Sequence, residues 1–182
     1  MSNKPKVTAR RPINHTGIFN IEEMDLEFSN GETRCYQRIV GAEQGAVLIV
    51  PLLDPETVLL IREYSAGTDR YELVFPKGNI ESDEELLVAA NREIQEEIGH
   101  GANQLEHITS FTLAPGYLRH TTHIVLAQQL YPSSLPGDEP EPLEVVPCKI
   151  ADMDRLLEQD DFTEARSIAA LFYVREKLGK QQ

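Results

Sequence analysis

The segment GNIESDEELLVAANREIQEEIG, residues 78–99, ends in a crowd of acids that a helix does not ordinarily tolerate. Ser82 followed by Glu85 reads as a capping box, so a helix is expected from there with Asp83, Glu84 and Glu85 in its first turn. Glu93, Glu96 and Glu97 then fall in the last turns, where the helix dipole favours cations and like charges three or four residues apart repel. At about 100° per residue these three carboxylates share an arc of about 100°, beside an apolar stripe of Leu87, Ala90, Ile94 and Ile98. The helix is therefore expected to bury one flank and present an acidic edge, and Gly99 is placed to end it in the left-handed conformation.

Three carboxylates on one edge destabilise each other but suit a hard divalent cation. Mg²⁺ prefers a few carboxylates, several waters and the oxygens of a phosphate. An acidic amphipathic helix is more often a plain solvated face. Against that reading stand the placement of the acids against the dipole and Arg92 embedded among them.

The fixed positions spell a signature: Gly78, five residues, Glu84, seven residues, Arg92-Glu93-Ile94, one residue, Glu96-Glu97, one residue, Gly99. This resembles the box of the Nudix family, hydrolases of nucleoside diphosphates linked to another group. Every polar and glycine position of the box is filled, while His100 stands where an apolar residue is usual.

The chain of 182 residues fits one ordinary domain with a small appended element. Its 41% hydrophobic and 26% charged residues suffice for a real core. A net charge of −13 disfavours long nucleic acid as a partner, although cations at the acidic edge would still admit a small anionic substrate. No apolar run approaches membrane-spanning length and MSNKPKVTARRP lacks a signal-like apolar stretch, which makes a cytoplasmic location the expectation. Cys35 and Cys148 are far apart and read as two reduced thiols.

In chain order, residues 1–14 read as a flexible basic leader. Residues 15–44 read as a hairpin turning at Asn30-Gly31, and residues 45–182 as the main domain. GAVLIVPLL and TVLLIREY are central-strand candidates, and YELVFPKG ends a strand at Pro76 just before the acidic motif. HITSFTLAPGY, HIVLAQQL and LEVVPCKI read as further strands, YPSSLPGDEPEP as a long acidic loop, and ADMDRLLE and TEARSIAALFYVREKL as terminal helices, the second apolar at Ile168, Leu171, Phe172 and Val174. The resulting class is α/β: a sandwich of mixed sheet and helices with the loop-helix motif at its centre and the hairpin at its N-terminus.

Beyond the box, IREY, YELVFPKG and Ala114-Pro115-Gly116-Tyr117 are similar to the ADP-ribose pyrophosphatase branch of the family. EEMDLEFSNG, LIREYSAGT, AANREIQEEIGHGAN and LYPSSLPGDEPEPL are similar to bacterial members that act on ADP-linked compounds. Relatives favouring ADP-ribose often have an arginine where this chain has Ser65.

The resemblance implies Mg²⁺-dependent cleavage, with Mn²⁺ able to substitute, of ADP-ribose, NADH or diadenosine polyphosphates to release AMP. It implies a homodimer in which the N-terminal hairpin reaches the partner subunit. Carried over residue by residue, it makes Glu93, Glu96 and Glu97 metal ligands, Arg92 the residue orienting them, and Glu84, Gly78 and Gly99 structural parts of the motif. Arg62, Glu72, Lys77, Pro115 and Tyr117 become substrate-binding candidates. The general base is open between Glu97 on the helix and Glu139 or Glu141 in the acidic loop. Two other readings stand beside this one: a broader pyrophosphatase of nucleoside triphosphates or diphosphate sugars, and a non-catalytic Nudix module that senses a nucleotide.

Overall fold

In the computed structural model, which describes residues 4–16 and 19–180, the apolar runs form a mixed sheet covered by helices on both faces. Strand β4 (Ala46–Asp54) pairs in parallel with β10 (Thr121–Pro132), and β10 pairs antiparallel with β8 (His100–Thr112). On its other side β4 changes neighbour along its length. Its start pairs with the short β7 (Lys77–Asn79), and its end pairs with β5 (Thr57–Ser65). Strand β5 then continues the sheet to β6 (Arg70–Val74) and β11 (Glu144–Lys149). This handover at β4 opens the sheet where β7 leads into the acidic motif.

Alternation along the strands decides which core each side chain joins. Val47, Ile49, Leu59, Ile61, Val125 and Ala127 face helix α1 (Leu86–Glu97). Leu48, Val50, Val58, Leu60, Ile124 and Leu126 face the other way, onto α2 (Met153–Leu157) and α3 (Ala165–Gly179). The result is the expected α/β sandwich. Among the described residues no helix is long and apolar enough to cross a membrane.

Both helix readings need correction in detail. Helix α1 starts at Leu86, one turn later than the Ser82–Glu85 box implies, and no side chain caps it. The reason lies with Glu84, whose carboxylate is taken by Arg92 and by the Glu81 N–H, so the residues before Leu86 form a turn with Asp83 at φ +68°. The buried stripe accordingly begins at Leu86, four residues before Ala90, while Leu87 is exposed. In α3 Phe172 is also partly exposed, and Ser167 and Ala170 are buried instead. Ser167 accepts the Phe75 N–H and donates to Glu164, so a polar residue closes the helix onto the strand before the motif. Gly99 does end α1 with φ +67°.

The N-terminal region is a second sheet, β1 (Lys6–Thr16), β2 (Phe19–Glu27), β3 (Thr33–Val40) and β9 (Leu118–Arg119). The β2–β3 hairpin turns with Gly31 at φ +83°. The leader expected over 1–14 is, from Lys6 onward, an edge strand; residues 1–3 lie outside the described residues. Of its basic residues Arg11 is a cross-strand counter-ion, reaching Glu23 at 2.9 Å and Asp25 at 2.6 Å. Pro12 is tolerated because this is an edge with a register shift beside it. Strand β9 ties this sheet to the rest, with Leu118 parallel to Ile39.

Candidate active site

A cavity of about 810 Å³ opens between the start of α1's loop, the end of α1 and the acidic loop. Lys77, Gly78, Asn79, Arg92, Glu93, Glu96 and Glu97 line one side, and residues 136–143 the other. The loop is pinned to the end of α1 at its entry, where Ser133 N donates to Gly99 O at 3.0 Å and Leu135 N to Gln95 O at 3.1 Å. His100 fits this junction through a contact between its Nδ1 and Ile98 O at 2.8 Å.

Arg92 organises the acids nearest the motif loop. Its Nε and Nη2 reach the two oxygens of Glu84 at 2.9 and 3.0 Å, and its Nη1 reaches Glu93 at 2.7 Å and Glu96 at 3.0 Å. Nη2 also donates to Asn79 O, which fixes the loop. The bidentate grip holds Glu84 below the usual carboxylate range. Gly78 is required here by space: a Cβ at that position would lie 2.1–2.2 Å from the carboxylate of Glu93.

The acids further along α1 are differently placed. Glu97 accepts the Lys77 N–H at 3.0 Å and no side-chain cation bonds to it among the described residues. Burial pushes its carboxyl up to about 8, and Glu93 and Glu63 push in the same direction. Glu93, 8% exposed, is also raised by burial in spite of Arg92, with Glu96 and Asp138 adding repulsion. Across the cavity, partial burial and the charges of Glu63 and Asp138 raise Glu139. Lys77 opposes these charges through its ion pair with Glu63.

This donor set suits a divalent cation: hard oxygen ligands, buried, mutually repelling and short of positive charge. Glu93, Glu96 and Glu97 do not yet form a three-carboxylate cage, because Arg92 stands between Glu93 and Glu96, and Glu97 is turned to Lys77 N. No group of three metal-ligating side chains is closely convergent among the described residues. Glu93 and Glu97 both lie against β7, Glu97 accepting the Lys77 N–H and Glu93 packed against Gly78. Glu96 is committed to Arg92 and lies against Gly137 of the loop.

Of the remaining sequence candidates, Lys77, Glu139 and Glu141 line the cavity, and four do not. Arg62 is bound to Glu144 at 2.9 Å and to Asp161. Glu72, 4% exposed, is bound to Arg70 and Thr163. Pro115 and Tyr117 lie in the exposed loop before β9, where Tyr117 O accepts from Ile39 N of the N-terminal sheet. Two residues that sequence reasoning left out bond to residues lining the cavity, Glu63 to Lys77 and Tyr71 to Glu141. Glu63 shares the α1 side of β5 with Leu59 and Ile61, a placement that strand alternation could have found. Tyr71 donates to Glu141 at 2.5 Å across 70 positions, for which the sequence carries no signal.

Comparison with known proteins identifies the family. Residues 5–38 match the model of the NudE-type Nudix hydrolase N-terminal domain, and residues 42–172 match the NUDIX domain. The chain is 48% identical over 178 residues to the ADP compounds hydrolase NudE of Escherichia coli, covering 98% of this chain and 95% of that one. It is 27% identical to the ADP-ribose pyrophosphatase of Bacillus subtilis, covering 94% and 93% of the two chains. A crystal structure of an ADP compounds hydrolase superposes with a TM-score of 0.93 at 47% identity, covering 100% of this chain and 97% of that one.

Proposed function

Because this chain belongs to the Nudix hydrolases and carries their NudE-type N-terminal domain, we propose that it hydrolyses the pyrophosphate bond of ADP-linked compounds with Mg²⁺, releasing AMP. ADP-ribose, NADH and diadenosine polyphosphates are the proposed substrates, and Mn²⁺ the proposed substitute metal. The observation that carries this reading is the pair of carboxyls raised by burial, Glu93 and Glu97, beside Gly78 and facing a cavity large enough for a nucleotide diphosphate.

When bound, a divalent cation neutralises charge on the diphosphate and polarises an attacking water. The chain's own residues do the rest. Glu93 and Glu97 would hold the ion, Arg92 fixes Glu93 and Glu96 on one side, and Lys77 lines the cavity with its ammonium paired to Glu63. Glu139 is the proposed general base, since it is the loop carboxylate facing Glu63 and Lys77, whereas Glu141 is engaged by Tyr71. Its carboxylate takes the proton of the water whose oxygen bonds to phosphorus, as the anhydride P–O bond breaks and the electron pair leaves with the second phosphate.

Pro115 and Tyr117 lie outside the cavity of their own chain, exposed in the loop before β9 and beside the N-terminal sheet. A homodimer in which this sheet reaches the partner's cavity and helps to hold the adenosine accounts for that placement. The test is a hydrolysis panel of ADP-ribose, NADH, diadenosine triphosphate and an ordinary nucleoside triphosphate, with and without Mg²⁺. Metal-dependent AMP release from the adenine diphosphates supports the proposal, and preference for the triphosphate overturns it.

A further inference from the structure

The acidic loop faces a cavity that repels it. Asp138 and Glu139 line the cavity opposite Glu93 and Glu97, and like charge across it adds to burial in raising the carboxyls of Glu93 and Glu139. After the anchors at Ser133 and Leu135, Pro136, Pro140 and Pro142 remove backbone donors. Among the described residues, the one side-chain hydrogen bond made by residues 136–143 is that from Tyr71 Oη to Glu141 Oε1, at 2.5 Å. Tyr71 is itself rigid. It sits on β6 opposite Tyr64 of β5, the two rings meet edge to face at 5.7 Å, and the Tyr64 hydroxyl is tied to Asp69.

We infer that Tyr71 is a positioning residue for the reaction: by holding Glu141 it tethers the acidic loop two residues from Glu139, between the anchor at Leu135 and the start of β11, and so sets the place of Glu139 over the cavity. This rests on the reading of Glu139 as the base. Tyr71 touches no reacting atom. Its hydroxyl adds a side-chain hold within a proline-broken stretch that is otherwise held at its two ends, by the Ser133 and Leu135 backbone bonds and by β11 from Glu144, and small displacements of a base are costly to the chemical step.

Tyr71→Phe, measured with ADP-ribose and Mg²⁺, is expected to lower kcat by about tenfold while KM stays within about twofold. Glu141→Ala should match it, and the double variant should be no worse than either alone. Glu141→Gln keeps an oxygen to accept the hydroxyl and should recover most of what Glu141→Ala loses. Independently of turnover, backbone amide exchange at Gly137, Asp138 and Glu139 should quicken in Tyr71→Phe with the melting temperature unchanged. Losses that multiply in the double variant, or a Glu141→Gln variant as poor as Glu141→Ala, would overturn the tether. So would exchange in Tyr71→Phe that matches the wild type. A wild type inactive on ADP-ribose, NADH and diadenosine triphosphate alike sinks the proposed function, and the exchange measurement still decides the tether.

Discussion

Glu84 and Glu97 stand at opposite ends of one motif and have opposite electrostatic fates. Glu84 receives two guanidinium bonds and a backbone N–H, and its acidity is strengthened. Glu97 receives one backbone N–H, is buried among like charges, and is a far weaker acid with a carboxyl near 8. The difference teaches that the acids of this box do two jobs. Glu84, gripped by both arms of Arg92, spends its charge inside the protein and shapes the loop, while Glu93 shares one guanidinium nitrogen with Glu96 and stays raised by burial. Those beyond the reach of Arg92 keep an unmet demand for positive charge, which is what a cation site requires before the cation arrives.

The comparison is broken most sharply at Glu97. Glu97→Gln keeps the shape and the acceptor for Lys77 N but removes the charge, so AMP release should fall by about a thousandfold or more. Because the replaced acid is buried without a bonded side-chain cation, the melting temperature in metal-free buffer should stay level or rise. Turnover near wild type in this variant would remove Glu97 from the site. Gly78→Ala comes next. The added Cβ must displace the Glu93 carboxylate from 2.1 Å, and with it the Arg92 contact, so a loss of about a hundredfold in kcat/KM is expected, with folding retained by circular dichroism.

The same contrast explains what could be read in the chain beforehand. Strands β4 and β5 were legible because alternation is local, and each apolar residue joins the core its parity dictates. The box was legible because Gly78, Arg92 and the glutamates act at fixed short spacings. The N-terminal strand was not, since Arg11 finds its partners Glu23 and Asp25 only across a sheet, and alone it reads as a solvated tail. Arg62 and Glu72 look like phosphate-side residues by their neighbours in sequence, yet Asp161 and Thr163, about a hundred positions on, claim them. Helix starts failed for a related reason: Glu84 had a stronger partner in Arg92 than a cap could offer.

The smallest expected effect is on the Arg92 side, and it turns on pH. Glu84 ionises more easily in the folded chain than at its ordinary value of 4.5, chiefly through the Arg92 hydrogen bonds. A carboxyl lowered by folding contributes stability that is present above 4.5 and is lost as pH falls through its folded value, because below that point both states carry the proton. Glu84→Gln should therefore cost about 1–2 kcal/mol at neutral pH, the worth of a charged hydrogen-bonded pair. It should also flatten the decline of stability on the acid side of 4.5, as read by urea unfolding across a pH series. Glu97→Gln in the same series should act in reverse. The metal-free wild type binds more protons folded than unfolded between about 4.5 and 8, so its stability drains as pH rises through that window, and the variant should lose that slope. Parallel acid-side curves for wild type and Glu84→Gln would mean that Arg92 does not discriminate between the two ends of the helix, and the division of labour drawn here between shaping acids and cation-seeking acids would fail with it.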